Sequence, residues 1–342
     1  MRIAAVIFLI AASAFAQSKA QPNAKSAPCD RACLESYVDQ YMDALVAHDP
    51  TKLALAANLK NTENGQRLLP GDGFWRTATA KGTYRLFVDD PESGQVGFLG
   101  TMKEANIPVT VAIRLKIAAR QISEIELFVV RTGLSSGNGA PELDKLGSPN
   151  ALFTTAIPTA DRASRADLIK TANLYFAGLE KNDGKGNYPF TDDCERLEDG
   201  QQTTHNPNFR TGSGFTANAG VATARGGAKQ APAPPPPTGF NPATLGCKEQ
   251  FQSGYFRFVT RIRDRRFAIV DPERGLVFSF AFFDHAAGKY RNYKLADGTE
   301  ASNGPTRPWT WELAELFRIE KGKIRRVEAV LEQVPYGMPS GW

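Results

Sequence analysis

The sequence predicts an α+β protein made of two tandem copies of one domain, each with N-terminal helices packed on a curved, mainly antiparallel sheet. Two observations carry this expectation. First, four landmarks occur twice in the same order: "YMDALVAHD" at Tyr41 and "YFAGLEKND" at Tyr175, "ENGQ" at Glu63 and "EDGQ" at Glu198, "DPESGQVGF" at Asp90 and "DPERGLVFS" at Asp271, "KIAARQISEIE" at Lys116 and "RIEKGKIRRVE" at Arg318. Their offsets grow from 134 and 135 to 181 and 202, which places insertions of 46 and 21 residues in the second copy. A pair of long units is a domain duplication and not a solenoid, which needs three or more short ones. Second, each copy runs from helical periodicity to a series of strands, the order expected when helices cover one face of a sheet.

Taken from the N-terminus, "MRIAAVIFLIAASAFAQS" has a basic start, an apolar run and a small-residue cleavage pattern, so residues 1–16 read as a secretory signal peptide. No later run is apolar enough for a membrane helix, so the expected location is secreted or periplasmic, with no membrane insertion. Loss of Arg2 leaves 40 basic against 36 acidic residues. That small excess, with export, argues against a nucleic-acid partner.

Copy one is expected at 29–132. Leu34, Tyr37, Val38, Tyr41 and Leu45 follow one helix face, and a short second helix should start at Asp49-Pro50. Residues 83–101 look like two strands joined at the Asp-Pro turn, and 106–117 and 123–130 are further strands. A Gly, Ser and Pro-rich linker is expected at 133–162. Copy two, 163–342, repeats the plan: Leu168, Ile169, Ala172, Phe176 and Leu179 on a helix, an Asp-Pro hairpin at 265–283, and strands at 309–319 and 325–334. Its insertion at 211–240, rich in Gly, Ala and Pro, has no core-forming residues and reads as a mobile loop.

Four cysteines in an exported chain should be oxidised. Cys194 with Cys247 would hold the base of that loop, leaving Cys29 with Cys33, which one turn of helix brings within bonding range. Their spacing fits neither a CxxC redox motif nor a zinc ribbon, and no metal site of recognisable spacing is present.

The helix, the "ENGQ"-type element, the Asp-Pro hairpin and the long closing strands together resemble the NTF2-like, or SnoaL-like, cone-shaped fold in two copies. "CLESYVDQYMDALVAHDP", "TENG" and the C-terminal "RRVEAVLEQVPYGMPSGW" are similar to a secreted bacterial and fungal family of unknown function. The resemblance implies acid/base side chains inside a cone. The superfamily includes dehydratases, isomerases, hydrolases, cyclases and non-catalytic scaffolds, and no catalytic motif carries over to this chain.

Within copy two, alternation puts Val277, Ser279, Ala281, Phe283 and His285 on one strand face and Phe278, Phe280, Phe282 and Asp284 on the other. Small residues beside His285 would leave room for a ligand, and an imidazole there can move a proton near neutral pH; the plainer alternative is a histidine that ends a strand in water. With the 181 offset, copy one has Lys103 and Glu104 in place of Asp284 and His285, so an active dyad would make copy two the only active copy. Glu198 and, across the pocket, His205 are candidate partners, although Asp-Gly is a turn dipeptide whose neighbouring carboxylate commonly bonds backbone amides. Glu315 shares an apolar face with Trp311, Leu313, Phe317 and Ile319, so it must be paired or shifted in pKa. Four of the five arginines Arg257, Arg261, Arg263, Arg265 and Arg266 share a strand parity; they would grip an acidic group or line a solvated face. His48 ends a helix, where helix-end electrostatics suffice.

No serine-hydrolase elbow, phosphate loop, dinucleotide fingerprint or HExxH is present. That absence argues for no particular alternative; the expected function, which the resemblance implies, is a cofactor-independent acid/base enzyme on a small, aromatic or polyketide-like molecule, with catalytic His285, Asp284, Glu198, His205 and Glu315, and with Trp311, Phe283 and Arg263 holding substrate. The competing expectation is a non-catalytic binding or interaction module with a filled cone. Exposed sheet faces would serve either form for homo-oligomer contacts.

Overall fold

A computed structural model describes residues 29–131, 139–209, 240–302 and 304–342. The signal peptide and nearly all of the 211–240 insertion lie outside these residues. The chain begins with α1 (Arg31–Val46), capped by the Asp30 carboxylate on the Cys33 amide at 2.9 Å. The first sheet follows: β1 (Leu55–Glu63), β2 (Gln66–Arg67), β3 (Ala78–Asp90), β4 (Gln95–Glu104), β5 (Ile107–Ala118) and β6 (Gln121–Val130). The short helices α2 (Gly139–Leu146) and α3 (Ala151–Thr154) lead to α4 (Arg165–Glu180), capped by Ser164. The second sheet then takes β7 (Phe190–Glu198), β8 (Gln201–Gln202), helix α5 (Cys247–Gln252), β9 (Arg261–Asp271) and β10 (Leu276–His285). A small hairpin of β11 (Tyr293–Lys294) and β12 (Glu300–Ala301) precedes β13 (Trp309–Glu320) and β14 (Lys323–Val334).

The two sheets have one topology, β2-β1-β6-β5-β4-β3 and β8-β7-β14-β13-β10-β9, each mixed by a single parallel pairing, β1 with β6 and β7 with β14. The duplication read from four short landmarks thus extends to every sheet strand, and the β11–β12 hairpin accounts for the smaller insertion. The expected second helix at Asp49-Pro50 is a single 3-10 turn, Pro50–Lys52, with Asp49 capping Thr51 at 3.0 Å.

One face of each sheet carries its lead helix: Leu34, Val38, Tyr41 and Leu45 of α1 pack on the first, and Leu168, Ala172, Tyr175 and Phe176 of α4 on the second. The opposite faces cover each other. Leu86, Val88, Leu99 and Phe128 meet Ile269, Phe278, Phe280 and Val330 in one apolar layer, closed at its rim by Leu143 and Phe153 from the segment read as a linker. Those sheet faces are therefore not available to a second chain as the sequence reading supposed, and the linker helices belong to the core. Gly97 makes the contact between sheets close: a Cβ there would stand 2.5 Å from Phe278 Cδ1 and 2.9 Å from Ile269 Cδ1. Gly97→Ala is expected to cost about 1–3 kcal/mol in urea denaturation by forcing the sheets apart.

The copies also exchange arginines reciprocally. Arg31, at the start of α1, binds Asp271 of the second hairpin with two 2.7 Å bonds, while Arg165, at the start of α4, binds Asp90 of the first at 3.0 and 2.6 Å. Arg31 and Arg165, like Asp90 and Asp271, are equivalent positions of the repeat, so the copies face each other about an approximate two-fold axis.

Both disulfides form as expected, Cys29–Cys33 with Cα atoms 5.3 Å apart and Cys194–Cys247 with 5.7 Å. The second fastens α5 to β7 across a separation of 53 residues. Changing both Cys194 and Cys247 to serine is expected to cost about 2–4 kcal/mol, measured by thermal unfolding against the oxidised wild type. Among the described residues, no helix is long and apolar enough to cross a membrane.

Candidate functional site

The polar residues of copy two converge between α4, α5 and the sheet. The strand register explains how. Glu198 of β7 lies beside Ala329 of β14, Ala329 beside Glu315 of β13, and Glu315 beside Ser279 of β10. Glu198 and Glu315 are thus two strand spacings apart, about 10 Å between backbones, with only an alanine between them. Tyr175 of α4 packs over this row at 5.0 Å from Phe317, and Arg196 reaches in from β7.

Arg196 is buried and fixed on three sides. One terminal nitrogen donates to Gln250 Oε1 of α5 at 2.8 Å, the other pairs with Glu198, and the guanidinium lies 5.0 Å from the Phe256 ring. Glu315 is also buried but has no arginine of its own: Tyr175 lies beside it, and its Oε2 has no partner among the described residues. Burial pushes its carboxyl up to about 8, against the opposing pull of Tyr175 and Arg196. One carboxylate is therefore neutralised by an ion pair while its neighbour is held as the acid at neutral pH.

His285 ends β10 inside the fold, not in water. Trp309 stacks on it at 3.8 Å with 10° between planes, Trp311 meets it edge-on at 4.9 Å, and Phe258 closes the far side at 5.8 Å. Among the described residues, neither ring nitrogen has a partner in hydrogen-bonding geometry. Burial holds the imidazole down at about 3, with only partial relief from the Phe283 and Trp309 backbones, so it is neutral at physiological pH. Phe283 lies on the same face, against Phe176 at 5.8 Å.

The remaining candidates separate. Asp284 points away from His285, to Arg263 Nε at 3.0 Å and the Thr310 hydroxyl at 2.7 Å, so the two residues do not act on one ligand. His205 is exposed in the loop after β8 and is not part of the buried row. The four arginines of one strand parity do not line one face either. Asp264, with φ of 52°, sits in a bulge that puts two β9 residues, Asp264 and Arg265, opposite one on β10, Ala281. Arg265 consequently turns to Glu180 on α4 while Arg266 turns to Glu126 of copy one and Arg263 to Asp284; Arg257, before the strand, bonds backbone carbonyls such as Asn182 O at 2.9 Å. His48 abuts the Trp75 carbonyl at the end of α1. Arg196, Tyr175 and Gln250 were not singled out from the sequence; the parity of Arg196 with Glu198, two residues apart on one strand, was the available signal.

Copy one shows what this row contains without the polar groups. Its equivalent positions are Glu63, Leu127, Ile113 and Phe98, in the same register. Leucine, isoleucine and phenylalanine there stand where copy two has Ala329, Glu315 and Ser279. Asn61 replaces Arg196, and Glu63 bonds the Phe74 amide at 2.7 Å, as a turn carboxylate would.

A family model described as a domain of unknown function (DUF8021) matches residues 161–331, half of the chain and nearly all of copy two. The chain belongs to the DUF8021 family. The DUF8021 match starts just before α4 and ends within β14, so it takes in the whole buried row, while copy one lies outside it. No curated protein matches the chain. Among solved structures, a de novo designed protein with a curved β-sheet is similar over 50% of this chain and 88% of its own, at 14% identity and a TM-score of 0.23, a level that carries no argument for either fold or function.

Proposed function

We propose that the DUF8021 unit of copy two is a cofactor-independent acid/base site for a small, aromatic or polyketide-like molecule, performing elimination, isomerisation or hydrolysis. In this reading both copies are NTF2-like cones and the chain is exported, which suits its two disulfides. The observation that carries the proposal is the row in which copy two exchanges three bulky apolar side chains of copy one for Ala329, Ser279 and the carboxyl of Glu315. A buried ionisable group beside two small residues is poor packing but useful chemistry.

The proton-moving role goes to Glu315, not to His285, whose neutral imidazole would serve as part of an aromatic wall with Trp309 and Trp311. Glu315, protonated at rest, would donate to a substrate oxygen or leaving group while the substrate's C–H proton, or in hydrolysis that of the attacking water, passes to solvent, with Tyr175 beside the carboxyl. Arg196, with Glu198 attached, would offset negative charge as it develops on the substrate. The non-catalytic alternative has its own support in the close ring contacts of Tyr175, Phe176, Phe251 and Phe317 on the same side of the sheet.

The test is solvent exchange. Wild type and Glu315→Gln would be incubated in D2O with a panel of aryl ketones, hydroxy acids and β-diketones, and C–H exchange or turnover followed by NMR. Activity on at least one compound, lost in Glu315→Gln but retained in His285→Gln, is the expected result. Absence of exchange and of any ligand-induced rise in melting temperature across the panel would favour the filled module.

A further inference from the structure

We infer that a second site, on the other side of copy two from the buried row, binds a neutral polyhydroxylated ligand, a sugar. The last eight residues, 335–342, leave β14 and cross back as a strap over copy two and onto copy one. Gly337 N donates to the Thr310 hydroxyl at 3.0 Å and Arg263 donates to the Met338 carbonyl at 2.6 Å. At the far end the Trp342 indole donates to Thr62 of copy one at 3.0 Å, its ring facing Lys60 at 4.0 Å and Arg114 at 4.3 Å. Between this fixed strap and the ends of β9 and β10 lies an open cavity of about 440 Å³.

Its walls define the ligand by exclusion. Among the lining side chains Arg261 and Arg263 match Asp264 and Asp284 one for one, so these give no cationic excess to attract phosphate and no acidic excess to attract a polycation. Arg263 is bonded to both aspartates, 2.9 Å to Asp264 and 3.0 Å to Asp284, which fixes their carboxylates as acceptors in place. Arg261 has no ion-pair partner among the described residues, leaving its guanidinium as a planar set of donors. An apolar ligand would strand these groups, whereas hydroxyls can donate to the aspartates and accept from Arg261 at once. Tyr336 supplies the apolar element: it is half exposed at the cavity wall, a ring able to stack on the C–H face of a pyranose. Because the strap is already tied at both ends, little ordering is left for binding to accomplish.

Titration calorimetry of the protein with cellotriose, maltotriose, xylotriose and tri-N-acetylchitotriose tests this. At least one trisaccharide is expected to bind, and Tyr336→Ala and Arg261→Ala should each weaken it about tenfold with unchanged melting temperature. Glu315→Gln should bind it as wild type does, which separates this site from the proposed acid/base site. Failure of all four sugars to bind, equal binding by Tyr336→Ala, or displacement of the sugar by inorganic phosphate or benzoate would overturn the inference.

Discussion

Arg196→Met is expected to lower the unfolding free energy by about 3–5 kcal/mol, as read from urea denaturation at pH 7. The side chain itself is not the source of that loss, since methionine refills much of its volume against Phe251 and Phe256. The loss comes from what remains: Glu198 keeps its charge with its ion-pair partner gone, and Gln250 Oε1 loses its donor. Glu315 also loses a nearby positive charge that opposes its burial. The double variant Arg196→Met/Glu198→Leu removes the charge with its partner and should recover most of the loss. Copy one has asparagine at the equivalent position, and its glutamate is held instead by a backbone amide and, at 3.3 Å, by Arg131 from the end of β6. If the double variant is no more stable than the single one, the cost lies in packing and the ion pair is incidental.

What the sequence disclosed follows from the range of the interactions involved. The lead helices, both Asp-Pro hairpins and the closing strands were legible because each buries a periodic apolar face or turns on local chemistry. Strands β1 and β7 were not: "LAANLKNTE" and "FTDDCERLE" alternate poorly, and their pairing is parallel to β6 and β14, more than 60 residues away along the chain. The bulge at Asp264 was equally invisible, and with it the separation of Arg263 from Arg265. The position of Glu315 on an apolar face was readable from parity alone. Its meaning was not, because Ala329 and Ser279 become its neighbours only through register. His285 was placed on the correct face of β10, but Trp309, the ring that stacks on it, belongs to β13, 24 residues further on.

The second large effect should appear as a pH-dependent gap between wild type and Glu315→Gln. A carboxyl raised to about 8 in the folded state, against 4.5 as its ordinary value, keeps its proton in the native protein while the unfolded chain has lost it. The native state then binds the extra proton between those values, so stability falls as pH rises through that window. Glutamine, neutral in both states, feels none of this. The two proteins should be similar below pH 4.5, and the variant should gain about 1.4 kcal/mol per pH unit above it. The gap would be on the order of 3 kcal/mol at pH 7 and would level off near 5 kcal/mol above pH 8. His285 acts in the opposite direction, since a base depressed to about 3 loses stability as the pH falls through its unfolded range. That contribution is common to both proteins and cancels in the difference. Urea denaturation at half-unit intervals from pH 4 to 9 measures the gap directly. Parallel curves would mean that Glu315 is ionised in the fold, and an ionised Glu315 has no proton to give a substrate at neutral pH. A widening gap would show instead that copy two sustains, at a cost to its own stability, a buried acid at the position where copy one has Ile113.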